Sequence, residues 1–350
     1  MSTVRVLTYN CRCFFDRYDE RKPLLHAAVR SARADVVALQ ESMVNGAGLD
    51  TDIADALDGA PWTVLQDASF VTNIERHGAP PALSFAAVLI LRGILAIMQI
   101  ALRLPLLGSV VRKMPLAMER LRECIATGTK RCCCGAFIDI YPMGHGSCVL
   151  LAPFFGLSTL IRPGLVAEAK ETLVLQPTGA REHMGTAIRT RIRDAQSGAP
   201  LFWLVNLHLV SFTTPAGRLM RAHETRRVLN WMDSVLHETD GRCVVVGDHN
   251  TLLRDEPLFG VFEKRGYLSA HRVAKGAEPA STWPTGIVAP FMDVDGAALH
   301  PKGVCLDFIW TIGEGLVALD AGVVGTDPAP DDPTLYASDH AGVWAELRVG

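Results

Sequence analysis

Cys243-Val244-Val245-Val246-Gly247-Asp248-His249-Asn250 is a short β-branched run that stops abruptly on a carboxylate and an amide. So short an apolar run closed by a glycine reads as a buried strand, because β-branching suits a pleated surface and a helix needs more length. A strand end holds a side chain rigidly, so Asp248 and Asn250 stand where a cleft requires fixed polar groups. The same arrangement recurs elsewhere in the chain. The run over 4–9 ends in Asn10, the run over 36–39 in Gln40-Glu41, and the run over 201–208 in Asn206-Leu207-His208. Leu306-Asp307-Phe308-Ile309-Trp310 sets one carboxylate inside an apolar run, and Ser338-Asp339-His340 leads into a last strand over 343–349. Singly, each has a bland account as a cap or a turn. Together they point to one site.

Working outward, further strands are expected over 147–152, 187–193 and 305–311, and helices over 21–33 and 218–237. In the second helix Leu219, Ala222, Val228, Leu229, Met232 and Leu236 approximate an apolar stripe. Strands and helices mix along the whole length, which indicates an α/β or α+β fold rather than separate helical and β domains. The chain has 350 residues, 49% hydrophobic and 20% charged, enough apolar material for a large core and incompatible with disorder. A formal net charge of -3 excludes a uniformly basic polyanion binder. The N-terminus lacks the basic, apolar and small-residue regions of a secretory signal in that order, and nine cysteines form no disulfide-like spacing. An intracellular, reducing location is expected. Cys148, Cys243 and Cys305 lie in apolar runs and read as core residues.

The strand-end residues are carboxylates, amides and histidines without zinc-type Cys or paired-His spacing. Such hard oxygen donors suit Mg²⁺ or Mn²⁺. Hydrolysis of a phosphate ester needs an activated water, donors for charge on the phosphoryl oxygens and neutralisation of the leaving oxygen. Asp, His and Asn can fill those needs.

The ordered set LTYN, LQE, NLHL, GDHN, STWP, LDFIW and SDH resembles the endonuclease/exonuclease/phosphatase superfamily, over residues 3–80 and 147–349. The resemblance implies two packed mixed β-sheets flanked by helices, a four-layer αββα sandwich, in one catalytic domain over 1–350. It implies divalent-metal-dependent hydrolysis of phosphodiesters or phosphomonoesters. By the same resemblance Glu41 binds the metal with help from Asn10 and Asp339, and Asp248 orients or deprotonates the attacking water, with Asn250 beside it holding the phosphate. His340, oriented by Asp307, and His208 contact the phosphoryl oxygens. A carboxylate partner for His208 is open among Glu75, Glu168, Glu171 and Glu182.

His249 departs from the GDFN or GDLN form of the motif, and strand alternation turns it away from Asp248 and Asn250, so it reads as a packing residue. The tyrosine-containing NxYxPN stretch of AP endonucleases and the Pro-Ala-Trp-Cys-Asp-Arg run of inositol-polyphosphate 5-phosphatases are both missing. The NLHL form is similar instead to deoxyribonuclease-I-like nucleases and neutral sphingomyelinases. A lipid phosphodiester is placed first as substrate and a nucleic acid second, with a catalytically inactive binding relative as the third reading. Trp283 reads either as a stacking platform for a base or as plain packing.

One segment accounts for the unusual mean hydropathy of +0.20. Residues 83–102 carry a single charge, Arg92, and as a helix would be about 30 Å long. Residues 103–131 then hold seven basic residues against two acidic ones, a local +5 that leaves -8 for the rest. A single membrane crossing would separate Asn10 and Glu41 from His208 and His340, so the site could not assemble. Two readings remain for an insertion over 83–134. Arg92, Gln99 and Arg103 share one narrow helical face, which with Cys132, Cys133 and Cys134 as lipidation sites suits a peripheral membrane contact. The other reading packs the helix on the core or in a dimer.

Overall fold

The computed structural model describes residues 2–13, 17–45, 48–58, 61–69, 97, 155–175, 185–211, 213–251, 256–288 and 300–350. The insertion over 83–134, bar residue 97, and the strand expected over 147–152 lie outside them, as do Glu75 and Glu182. Within the described residues the chain runs β1 (Ser2–Asn10), α1 (Tyr18–Ser31), β2 (Val36–Met43), α2 (Leu49–Ala56), β3 (Thr63–Asp67), β4 (Phe155–Ile161), β5 (Leu165–Val174), β6 (Thr186–Asp194) and β7 (Pro200–His208). Then follow α3 (Pro215–Asp233), a 3₁₀ turn (Leu236–Thr239), β8 (Cys243–Asp248), α4 (Pro257–Glu263), β9 (Leu268–Ser269), α5 (Ala270–Lys275), β10 (Asp307–Ile312), β11 (Leu316–Val324) and β12 (Gly342–Val349).

The strands form two six-stranded mixed sheets, ordered β11-β12-β1-β2-β4-β3 and β5-β6-β7-β8-β10-β9. Each sheet contains one parallel pair, β1 with β2 and β7 with β8, and in both cases a helix makes the crossover. Parallel neighbours need such a crossover, and α1 and α3 supply it on the outer faces. The start of α3 is written locally: Thr214 Oγ1 accepts the Gly217 N–H at 3.2 Å and Pro215 opens the first turn.

Strand alternation sorts the side chains into layers. Val4, Val6, Val36 and Ala38 of one sheet meet Leu204, Val244, Val246 and Ile309 of the other in the central layer. The opposite faces bury Leu7, Tyr9, Val37 and Leu39 under α1, and Trp203, Val205, Val245 and Trp310 under α3 and α4, Trp310 stacking on Phe262 of α4. The result is the expected αββα sandwich, whose inner residues each contribute about 1.5–3 kcal/mol of burial. Sequence periodicity missed the four edge strands β3, β5, β9 and β11, of which β5 is largely wet and presents no continuous apolar run, and it missed the buried β4, whose apolar run is interrupted by Gly156, Ser158 and Thr159. Cys243 is a buried core thiol as expected, whereas Cys305 is only partly buried and Cys148 lies outside the described residues. Among the described residues no helix is long and apolar enough to cross a membrane.

Candidate active site

The inward-facing positions that are valine and leucine along the strands turn polar at one end of the sandwich. His208, Asp248 and Asp307 occupy a single row, His208 opposite Asp248 in the β7–β8 ladder and Asp307 opposite Asp248 in the β8–β10 ladder. Directly opposed residues project to the same face, so all three enter the cleft between the sheets. Gly247 is required just before Asp248: its φ is +148°, and a Cβ there would lie 1.9 Å from the Leu207 carbonyl oxygen.

Asn10 reaches the same point from the other sheet. Its Nδ2 donates to Asp248 Oδ2 at 3.0 Å and to Glu41 Oε1 at 3.1 Å. Its Oδ1 accepts the Arg12 N–H at 3.0 Å, which fixes the amide the right way round. Glu41 depends on a β-bulge. Strict alternation would send it outward with Val37 and Leu39, but the β2–β4 register slips between Leu39 and Ser42, and Glu41 sits in the left-handed region at φ 48°. The bulge re-aims its carboxylate into the cleft.

Asp248 is the hub. Its Oδ2 lies 3.4 Å from His208 Nε2 and 3.7 Å from His340 Nε2, while Oδ1 accepts the Asn250 N–H at 2.8 Å. His340 Nδ1 is 2.9 Å from Asp307 Oδ2, so the Asp307 carboxylate orients the imidazole and leaves Nε2 facing Asp248. Thr282 Oγ1 in turn accepts the backbone N–H groups of Leu306 and Asp307 at 2.9 and 3.3 Å. The Asn250 side chain is tied to the main chain after His208, its Nδ2 donating to the Leu209 carbonyl at 2.8 Å. Asp339 Oδ2 is held by Arg12 Nη1 at 2.6 Å and by Trp283 Nε1 at 3.2 Å. Trp283 is therefore a buried buttress and not an exposed platform.

Burial raises the proton affinity of the Asp248 carboxyl, and the neighbouring Asp307 adds to the effect. Burial works the other way on His340, but Asp307 and Asp248 outweigh it and hold the imidazole protonated. Burial lowers His208, helped by His340 and opposed by Glu41. For Asp339 burial is overridden by the Arg12 guanidinium, which keeps the carboxyl low. A buried carboxylate of raised basicity beside a charged imidazolium is a base matched to neutral pH next to a donor for a developing anion.

The donor set also fits a hard cation. Asp248, Asp307 and His340 bring one atom each to within 4.8 Å of one another; with His340 protonated, the donors of that group are the two carboxylates, and Asp307 Oδ1 is buried with no hydrogen-bond partner. Glu41 and Asn10 extend this oxygen-rich cluster through their contacts with Asp248.

Sequence reasoning had placed eight residues here. Seven of them, Asn10, Glu41, His208, Asp248, Asn250, Asp307 and His340, are linked through Asp248 or one of its direct partners, and Asp339 stands beside them on Arg12 and Trp283. Glu168 pairs with Arg191 and Arg193, and Glu171 with Arg189, on the edge of the second sheet. His249 behaves as alternation requires, buried between Phe262 and Phe308 on the outer face with Nδ1 donating to the Gly247 carbonyl at 2.9 Å. The supports Arg12 and Thr282 were missed, as was the tie behind the site. Thr8 Oγ1 donates to Gln40 Oε1 at 3.2 Å and Gln40 Nε2 to Asn206 Oδ1 at 2.8 Å, joining the two sheets. Polar residues at inward positions of apolar strands were the available signal.

No family model and no curated protein matches the chain. Among solved structures it is similar to an endonuclease/exonuclease/phosphatase from Bacteroides vulgatus, at 13% identity over 100% of both chains and a TM-score of 0.58. It is similar also to the catalytic domain of human nocturnin, at 14% identity over 99% of this chain and 95% of that one, TM-score 0.56. A mannosyl-6-phosphatase from Bacteroides thetaiotaomicron matches at 14% identity over 98% and 99%, TM-score 0.59. The chain therefore has the deoxyribonuclease-I-like fold of endonuclease/exonuclease/phosphatase structures.

Proposed function

We propose that this chain is a divalent-metal-dependent hydrolase of phosphate esters within the endonuclease/exonuclease/phosphatase superfamily, acting by water attack on phosphorus. The observation that carries this reading is the convergence of Asn10, His208 and His340 on one oxygen of the buried Asp248. Asp248 takes the proton of the attacking water. His340, charged and held by Asp307, and His208 donate to the phosphoryl oxygens. Glu41, with Asn10 and Asp339, is the proposed holder of Mg²⁺ or Mn²⁺, and Asp307 Oδ1 leaves a further donor free for it. When bound, such an ion neutralises charge on the transferring phosphoryl group.

Within this chemistry a lipid phosphodiester stands first, supported by the NLHL sequence and by the apolar, basic segment over 83–134, which we propose as a peripheral membrane contact. Nuclease activity is the alternative. The test gives purified protein bis(p-nitrophenyl) phosphate, p-nitrophenyl phosphate, sphingomyelin in micelles, and plasmid and single-stranded DNA, each with Mg²⁺, Mn²⁺ or EDTA. DNA cleavage that Asp248→Ala abolishes, with no lipid turnover, ends the lipid preference. Absence of turnover with every substrate leaves only the binding-relative reading. Liposome co-sedimentation unchanged by deleting 83–134 rejects the membrane contact.

A further inference from the structure

The segment that follows His208 has no regular structure, yet both residues after the histidine have every backbone polar group paired with another part of the chain. Leu209 N–H donates to the Asp248 carbonyl at 2.9 Å, and the Leu209 carbonyl accepts from Asn250 Nδ2 at 2.8 Å. Val210 N–H donates to Glu224 Oε2 at 3.0 Å, and the Val210 carbonyl accepts from Arg221 Nη1 at 3.0 Å. Glu224 and Arg221 stand on α3, one turn apart and both fully buried. Arg221 is fixed in turn by a two-point ion pair with Glu256, at 2.9 Å through Nε and 2.8 Å through Nη2, and both side chains are fully buried. Planar guanidinium-carboxylate pairing of this kind locks orientation as well as distance.

We infer that Glu224 is a positioning residue for His208, with Arg221 and Glu256 as its frame. The site side of this segment, Asp248 and Asn250, grips Leu209, while α3 grips Val210, so the chain immediately after His208 is pinned from two sides, with the imidazole 3.4 Å from Asp248. A buried main-chain donor held by a charged acceptor is stiffer than one facing water, and a small displacement of a reacting group is costly in rate. The inference rests on the catalytic reading of His208 given above.

The test compares Glu224→Met, which keeps the volume and removes the acceptor, with Glu224→Gln, which keeps an acceptor oxygen. Two measurements are made, amide hydrogen exchange across residues 208–211 and steady-state kinetics on bis(p-nitrophenyl) phosphate. The expected result is faster exchange confined to that segment in Glu224→Met, a fall in kcat of about tenfold or more with KM little changed, and recovery of both in Glu224→Gln. Glu224→Asp, which retracts the carboxylate by one methylene, serves if Glu224→Met does not fold, with an intermediate loss of kcat expected. Unchanged exchange, unchanged kcat, or a Gln variant no better than Met overturns the inference. If the wild type hydrolyses no phosphate ester, it is the proposed function that fails, and exchange alone decides whether Glu224 holds the segment.

Discussion

Asp307 lies directly opposite Asp248 across the β8–β10 ladder, and the His340 imidazole reaches both carboxylates, Nδ1 at 2.9 Å from Asp307 Oδ2 and Nε2 at 3.7 Å from Asp248 Oδ2. Like charges directly opposed on a sheet are destabilising, and here the protonated histidine offsets them. In the proposed reading this divides the labour of the strand row: Asp307 orients His340, and Asp248 acts on the substrate water.

Asp307→Asn tests that division of labour. The amide occupies the same space but no longer holds His340 charged, and it can set the ring in the wrong tautomer. Turnover of bis(p-nitrophenyl) phosphate is expected to fall by about 10²–10⁴-fold, the ordinary worth of a positioned acid or base. Thermal unfolding should still show a cooperative transition. A loss below tenfold would remove His340 from the chemistry.

Glu41 should separate metal affinity from water activation. Glu41→Gln keeps an acceptor for Asn10 Nδ2 and removes the charge, so the Mg²⁺ concentration for half-maximal rate is expected to rise tenfold or more, with a smaller effect at saturating metal. Asp248→Asn is expected to abolish turnover at every metal concentration. A metal titration of both variants makes the comparison, and identical behaviour would contradict the separate roles.

The tie between the sheets carries a stability prediction. Asn206 Nδ2 donates to the Ser158 and Leu39 carbonyls at 2.9 and 3.2 Å while its Oδ1 accepts from Gln40. Asn206→Leu takes the amide away from these buried partners, of which Gln40 Nε2 keeps only its longer bond to the Ala38 carbonyl at 3.3 Å, at a cost of about 2 kcal/mol or more. Urea unfolding measures it. A cost under about 1 kcal/mol would show that water replaces the amide.

The strand ends were legible because burial and function pull in opposite directions there. Asp248, Asn10 and His208 interrupt runs that would otherwise continue apolar, and a single sequence shows such an interruption without a structure. Glu41 was legible as a residue but not as a geometry. Its entry into the cleft depends on a one-residue bulge against β4, a long-range pairing that leaves no local trace in Leu39-Gln40-Glu41-Ser42. Arg12 and Thr282 were hidden for a related reason. Each acts through one hydrogen bond or two to a residue far along the chain, Asp339 for the first and Asp307 for the second, and no periodicity encodes that. The Asp307–His340 pairing needed the resemblance, since spacing alone does not bring positions 33 residues apart together.

His249, the departure from the Phe or Leu of the related motif, leads to a pH prediction. Its ring is fully buried against Phe262 and Phe308, and burial lowers its pKa to about 4 from an ordinary 6.5. The unfolded chain therefore takes up a proton first as pH falls, so stability is complete above about pH 6.5 and is lost progressively toward pH 4, by at most about 3 kcal/mol. His249→Phe keeps the aromatic packing, removes the proton uptake and faces away from the cleft. The variant is expected to match wild-type turnover at neutral pH and to gain in relative stability between pH 6.5 and 4.5. Urea unfolding at pH 7, 5.5 and 4.5 reads that difference directly. A gap between the two proteins that does not widen toward acid would mean that the imidazole finds a proton acceptor in the core, and the packing role would have to be given up.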